Sequence, residues 1–481
     1  MDSHTEKLEL SFYKHNRWQT LVTERSVTAN RNAIIKLADK GLEVNSDNAN
    51  TLVKYIADVV AASLYCLPHK PAKSVMGWVG EEFMPYTDQI LFDGDDQFKY
   101  LYKAITKKGK LDEWVRFIRP LRENLEFRLC MAASFASPLI ELIGENPFVF
   151  HLWGGTGSGK TVALMVAMSI FGDPATGKMT RTMNMTANSM LSTAAFLRNL
   201  PFAGDELQTI KSRWTNYDNL VMCITEGIDR GRMSYDKVNE TRAWKCSFLF
   251  TGEEPCIKQA SGGGAKNRVI EVECKDKLIE NGNATANFVR SHYGSAGEPY
   301  ITKVKTEDVT EQYGKIFADI LASTDTTDKQ AGSMAIMLVA DRIASQLFWP
   351  DERPLTISQI QPYLCSASEI DVAERAYHFV RNAIAENRNN FTRDSKQIWG
   401  DISGDCAYFN KNVLTRIMTD EGFDFDAVKA KWAERGYIER SSQGRYFQSL
   451  SKHGAKAMYV KIALIKDGEF EDIDEDDELP F

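Results

Sequence analysis

His151-Leu-Trp-Gly154-Gly155-Thr156-Gly157-Ser158-Gly159-Lys160-Thr161 decides the fold of this 481-residue chain. An apolar run, Phe148-Val149-Phe150, precedes it and reads as a buried strand. Val162 to Met168 follows and reads as a helix that stops at Gly172-Asp173-Pro174. Strand, glycine loop, Lys-Thr and helix together are the context that a phosphate-binding loop requires. Glycines let successive amides turn inward onto an anion without side-chain clash, and the helix N-terminus adds partial positive charge. Gly154, Gly155, Thr156, Gly157, Ser158, Gly159, Lys160 and Thr161 are therefore the expected binding residues for ATP. Lys160 is expected to reach the β- and γ-phosphates, and Thr161 to hold Mg²⁺. The competing reading is a chance glycine turn before a helix.

Downstream, Leu200-Pro-Phe202-Ala203-Gly204-Asp205-Glu206 has the form of a second nucleotide motif, 45 residues after Lys160. Asp205 would hold the metal and Glu206 would polarise the attacking water. Pro201 fits only at a strand start, and Gly204 interrupts the usual apolar run. A third strand, Lys245 to Phe250, closes on Thr251, which is either a sensor of the γ-phosphate or a solvent-side threonine. Arg268, between a glycine-rich loop and the strand Val269 to Val272, has the position of a finger into a neighbouring copy's nucleotide. Lys266 is the runner-up, and a plain surface arginine the bland alternative. Between these motifs, Arg230, Arg232, Tyr235 and Lys237 fit a projecting hairpin that grips phosphates and stacks a base, or equally a charged surface loop.

The rest of the chain is read more coarsely. Residues 1–120 are a mixed α+β domain, with a helix from Asn50 to Leu64 whose apolar face is Leu52, Tyr55, Ile56 and Val59. Residues 121–305 are the α/β core, and Glu123, Asn124 and Arg128 are placed near an adenine pocket. Residues 306–394 are helical, with the run Met334 to Ala344 as core packing. Residues 395–466 follow the order helix, turn, helix, hairpin, which is that of a winged helix. From Asn410 to Lys466 there are 11 Lys/Arg against 6 Asp/Glu, so Lys429, Lys431, Arg435 and Arg445 are the expected phosphate contacts; a protein-docking winged helix is the alternative.

Overall the net charge is −8, but residues 467–481 carry nine acidic residues and no basic one. The acidity is therefore local and does not exclude nucleic acid. No apolar run approaches the ~18 residues of a membrane span. The N-terminus shows no signal-peptide core. The eight cysteines form no Cys-x-x-Cys pair. A cytoplasmic protein without membrane contact, structural zinc or disulfides is the expectation.

Loop, Asp-Glu, sensor and finger, in that order, resemble the core of the AAA+ ATPases. More narrowly, the chain resembles a phage and mobile-element family of ATPases first catalogued as a domain of unknown function. The motifs carrying this are Leu37-Ala-Asp-Lys-Gly41, Gly77-Trp78-Val-Gly80, Phe150-His151-Leu152, the Lys160-Thr161 loop, Phe202 to Glu206, Thr251-Gly252-Glu253 and His292 to Gly297. Members of that family are commonly labelled helicases, some of them inactivated. The resemblance implies a self-loading replicative helicase similar to the minichromosome-maintenance type, a homo-oligomer, taken as hexameric, acting on single-stranded or forked DNA. It would serve replication of a phage, plasmid or mobile genetic island. An ATP-switched DNA-binding platform for defence or packaging, without unwinding, is the other class. The terminal Leu479-Pro480-Phe481 resembles the acidic tip of single-stranded-DNA-binding proteins. That likeness implies docking to a replication protein; a solubilising tail is the alternative.

Overall fold

The apolar run before the glycine loop is a strand, β1 (Phe148–Trp153), buried in all but its last residue. With β2 (Thr180–Thr182), β3 (Phe202–Asp205), β4 (Ser247–Gly252) and β5 (Val269–Glu273) it forms a five-stranded sheet of order β5-β1-β4-β3-β2. Every pairing is parallel, and Phe250 of β4 lies in register with His151 of β1 and Gly204 of β3. Near-continuous apolar strands are what a parallel sheet covered by helices demands. The computed structural model describes residues 6–464 apart from 95, 211–216, 230–232, 235–236, 239–241, 259–260, 394, 396 and 453–454.

Gly204 is no interruption of β3. A Cβ built there would lie 2.2 Å from Met183 Sδ and 2.9 Å from Phe250. The strand is glycine at that point because its neighbours leave no volume for a side chain.

Three helices close the core. Helix α1 (Leu125–Ala136) is buried continuously from Phe127 to Ala136. It packs against α2 (Lys160–Ser169), which follows the glycine loop, and against α3 (Asp328–Phe348). The interior of α3 is not purely apolar. Asp341, 1% exposed, accepts from Arg128 Nε at 2.9 Å and Nη2 at 2.6 Å, from Arg122 Nη2 at 3.1 Å, and from Leu355 N at 2.8 Å. Arg128 is thus spent on a buried ion pair. This corrects its placement at an adenine pocket: the guanidinium is held bidentate by Asp341 and does not line the cavity beside the glycine loop.

The C-terminal residues of the same unit build a second sheet. Its strands are β6 (Gly400–Ser403), β7 (Cys406–Asn410), β8 (Ile438–Glu439), β9 (Gln448–Lys452) and β10 (Ala455–Ala463). Their order is β6-β7-β10-β8, with β9 also paired to β10. Helices α4 (Val372–Glu386), α5 (Lys411–Asp420) and α6 (Phe425–Glu434) share one apolar core with that sheet, centred on Tyr377, Phe409, Leu414 and Trp432.

Residues Met1–Lys99 and Arg230–Thr241 form the other compact unit. It opens on a hairpin, Lys7–Lys14 against Arg17–Glu24, turned by His15 and Asn16, both at positive φ (53° and 57°). That is the backbone of a two-residue primed turn. The following helix, Ala49–Ala62, buries Ile56. Tyr55 and Val59 are 64% and 39% exposed, so the expected apolar face is corrected. Leu52 and Val53 complete the contact with the small core of Leu21, Ile34, Leu37 and Val44.

Candidate functional site

The glycine loop leaves the C-terminal edge of the parallel sheet. Gly154 has φ +142°, and a Cβ there would meet Cys274 O at 2.8 Å, so backbone conformation and space both require glycine. The loop ends at α2, whose first residue is Lys160. The Lys160 side chain is 9% exposed and turns back over the loop. Its Nζ donates to Gly154 O at 2.9 Å, Gly155 O at 2.7 Å and Ser158 Oγ at 3.1 Å. An ammonium is thereby held over a cup of backbone at a helix N-terminus, an arrangement made for an anion. Thr156 Oγ1 donates to Glu253 Oε1 at 3.0 Å and ties the loop to the end of β4.

The second motif meets the first through Thr161. Its Oγ1 donates to Asp205 Oδ1 at 2.9 Å. Thr251 Oγ1 donates to the same carboxylate oxygen and accepts from Glu206 N at 3.2 Å. Thr251 is 2% exposed. One hydroxyl therefore fixes Asp205 and aligns the backbone of Glu206, and the reading of Thr251 as a solvent-side threonine is corrected. Glu206 sits at φ +61°, a left-handed conformation that costs a non-glycine residue about 1 kcal/mol or more. The residue is exposed. The Thr161 hydroxyl and the Asp205 carboxylate meet directly, the Lys160 ammonium lies over the adjoining loop, and this donor set suits a magnesium ion with phosphate oxygens: hard oxygen ligands from Thr161 and Asp205, and a cation for the remaining charge.

Glu123 and Asn124, two of the three residues placed near an adenine pocket in the sequence, line a cavity beside this loop of about 930 Å³, whose other walls carry no signal in the sequence. Phe117, Leu121, Leu278, Asn281 and Phe288 also line it. Leu278 N donates to Ser158 O at 2.9 Å, so the cavity adjoins the loop directly. Phe117 and Phe288 stack at 3.8 Å and 8°. Residues so far apart in the chain carry no local signal.

The other candidates lie elsewhere. Arg268 precedes β5, and in a parallel sheet that is the edge opposite the glycine loop. Its Nη1 donates to Gly264 O at 2.7 Å and contacts Met222 Sδ at 3.2 Å. Lys266 is turned inward, with Nζ 3.2 Å from Glu369 O; burial and then Arg375 pull its pKa down. Met233–Ser234 and Lys237–Val238 pair as a short antiparallel ladder, the backbone of a hairpin that includes Lys237. Arg230, Arg232 and Tyr235 fall outside the described residues, as do Leu479, Pro480 and Phe481.

On the C-terminal domain, Lys431 and Arg445 are exposed. Lys429 pairs with Asp426 and sits 5.7 Å from the Tyr446 ring. Arg435 is corrected: its guanidinium binds Asp371 at 2.6 Å and Glu374 at 3.0 Å. Those two carboxylates occupy the donors that a phosphate would need. Unforeseen cations flank the same rings, with Arg440 4.9 Å from Tyr446 and Lys411 4.5 Å from Phe447. The interleaved Arg440, Arg445-Tyr446-Phe447 was the available signal.

His151, Cys256 and Glu271 bring ligand-type atoms within 4.8 Å of one another under β1. Glu271 Oε1 already accepts from Cys256 N at 2.7 Å and Ile257 N at 3.3 Å, and meets His151 Nδ1 at 3.1 Å. This is a hydrogen-bonded cluster that anchors the segment after β4 to the sheet.

A family described as "Domain of unknown function (DUF927)" matches residues 1–244. A second, described as "Cch helix turn helix domain", matches residues 371–467. No curated protein matches the chain. Among solved structures, "SCCmec type IV Cch - active helicase" is similar with a TM-score of 0.72 and 18% identity, over 95% of this chain and 90% of that one. That likeness shows a shared fold. The apo A form of the NrS-1 C-terminal region, at 12% identity over 74% of this chain and 90% of that one, reaches a TM-score of only 0.26.

Proposed function

We propose, on the premise that this chain belongs to the DUF927 family, that it is an ATP-dependent, ring-forming DNA helicase of the AAA+ type serving a mobile genetic element. The observation that carries the reading is the meeting of Thr161, Asp205 and Thr251, beside the loop over which Lys160 folds, at the edge of a sheet of order β5-β1-β4-β3-β2. The fold shared with a structure described as an active helicase of an SCCmec element supports it, as does the helix-turn-helix domain at residues 371–467.

The glycine loop and Lys160 would bind the triphosphate, and the cavity between Phe117 and Leu278 would take the adenine ring. Thr161 and Asp205 would hold Mg²⁺, which neutralises charge on the β- and γ-phosphates. Glu206 orients a water and accepts its proton as the water oxygen attacks the γ-phosphorus and the bond to ADP breaks. Asp205, fixed through Oδ1 by Thr161 and Thr251, is assigned to the metal, and Glu206 is taken as the base. Arg268, at the far edge of its own sheet, completes the pocket of the next copy in the ring and stabilises the charge of the transition state. The hairpin bearing Arg230, Arg232, Tyr235 and Lys237 would track one DNA strand in the pore, and the acidic tail ending Leu479-Pro480-Phe481 would recruit a replication protein.

The test is displacement of a labelled strand from a forked duplex with ATP, alongside ATP turnover with and without single-stranded DNA. Unwinding with DNA-stimulated turnover is expected. Turnover that ignores DNA, with the fork left closed, would instead make the chain an ATP-switched assembly platform.

For the C-terminal domain, Arg440, Arg445, Lys411 and Lys429 form the DNA face. Arg440→Ala with Arg445→Ala should weaken binding and lower the slope of log affinity against log salt by about 0.9 per lost phosphate contact. Arg435→Ala should leave that slope unchanged, since its partners are Asp371 and Glu374. An equal change in slope for Arg435→Ala would reverse the assignment.

A further inference from the structure

The loop that carries Arg268 is held by the root of the C-terminal domain. Arg375 Nη2, on α4, donates to Ser261 O at 2.6 Å. Six residues earlier, in the short helix Ala367–Ile370, Glu369 O accepts from Lys266 Nζ. Gly263 packs so closely that a Cβ there would lie 2.7 Å from Ile370 O. On its other side the loop is tied to the core, where Gly262 N donates to Asp218 Oδ2 at 2.6 Å. Within the loop, Arg268 Nη1 takes Gly264 O. The position of the guanidinium is therefore inherited from a backbone strapped down at Ser261, Gly262, Gly263 and Lys266.

The strap has a second load. Asp371 and Glu374, in the same turn of α4 as Arg375, bind Arg435 from the end of α6, and Glu374 also accepts from Tyr437 Oη at 2.6 Å. Asp371 caps α4 by accepting from Ala373 N and Glu374 N. Residues 371, 374 and 375 lie on one side of a helix. One helical turn thus joins the finger loop to the helix-turn-helix domain.

We propose that Arg375 is a positioning residue for hydrolysis: through Ser261 it sets Arg268 for a neighbouring copy's pocket and makes the finger loop and the helix-turn-helix domain one mechanical piece. This rests on the reading of Arg268 as a finger acting in trans. Arg375 touches no nucleotide. Displacement of a reacting group by about 1 Å can cost on the order of 10² in rate, and that is the loss expected of Arg375→Met in kcat. Nucleotide affinity, read with a fluorescent ATP analogue, should hold, because the chain's own glycine loop lies at the opposite edge of the sheet. Arg375→Lys, which keeps a donor and a charge, should fall between the two and guards against a folding defect in the methionine variant.

The deciding measurement mixes variants in one assembly. A copy with Lys160→Ala cannot hydrolyse but carries an intact finger; a copy with Arg375→Met has an intact pocket and a displaced finger. Mixed, they should recover turnover, as should Lys160→Ala with Arg268→Ala. If Arg375→Met alone turns over normally, or its mixture stays silent while the Arg268→Ala mixture recovers, the positioning role is overturned. If the Arg268→Ala mixture also stays silent, the trans finger itself falls, and the positioning role with it.

Discussion

Lys160→Ala is expected to abolish the proposed ATP turnover and strand displacement while the chain remains folded. The size of the loss follows from what Lys160 touches. Its ammonium has three oxygen partners, all belonging to the loop. It holds the charge that a triphosphate must find there. Alanine leaves the backbone amides and the helix N-terminus in place, so some affinity persists. What disappears is the cation at the bridging and terminal oxygens, where negative charge shifts during bond breaking. Removing a preorganised charge partner at such a point costs on the order of 10²–10³ in rate. Folding should survive, because α2 packs through Ala163, Leu164, Val166 and Ala167, all buried and untouched. Phosphate release and thermal unfolding measured on one sample check both halves. Undiminished phosphate release would remove the ATPase reading at its root.

The largest stability effect belongs to Asp341→Ala. Asp341 sits between Arg122 and Arg128, with side-chain exposures of 1% and 11%. Arg122 has a further partner in Glu352 at 2.8 Å and lies 4.0 Å from the Trp349 ring. Arg128 has the carbonyl of Arg353 at 2.8 Å. Deleting the shared carboxylate leaves two guanidinium charges facing each other in the core. Breaking one partner of a buried pair costs about 3–5 kcal/mol. For a unit of this size that should lower the unfolding midpoint by roughly 10 °C. Asp341→Asn should recover part of the loss, since an amide oxygen can still accept from Leu355 N and one guanidinium. A midpoint within about 2 °C of the parent for the alanine variant would show that the guanidinium groups find water or other partners.

What could be read from the residues was what local backbone chemistry fixes. The Gly154–Thr161 loop, its flanking strand and helix, and the Asp205-Glu206 strand end are each confined to a few consecutive residues. Arg128, Arg435 and Asp341 were misread or passed over because their partners are far away in sequence. A charged residue within the run Met334–Ala344 looks like a flaw in an apolar helix until Arg122 and Arg128 are placed beside it. The Lys7–Glu24 hairpin escaped notice for a different reason. Its outer face carries Tyr13, Trp18 and Val22, exposed by 59%, 71% and 41%, so the usual alternation of apolar and polar residues is blurred. Its turn is His15-Asn16 rather than a glycine pair. The cavity beside the loop is assembled from residues 113–124 and 277–288, which meet only in the folded chain.

The missing side chain at position 204 has a mechanical consequence. Phe202, Ala203 and Gly204 run between two other strands, under Met183 and against Phe250, with no slack around them. A floor that tight cannot flex by the several ångströms a motor stroke requires. On the proposed reading, the work of a turnover cycle would emerge away from this strand, with the strand that ends in Asp205 serving as the stationary anvil.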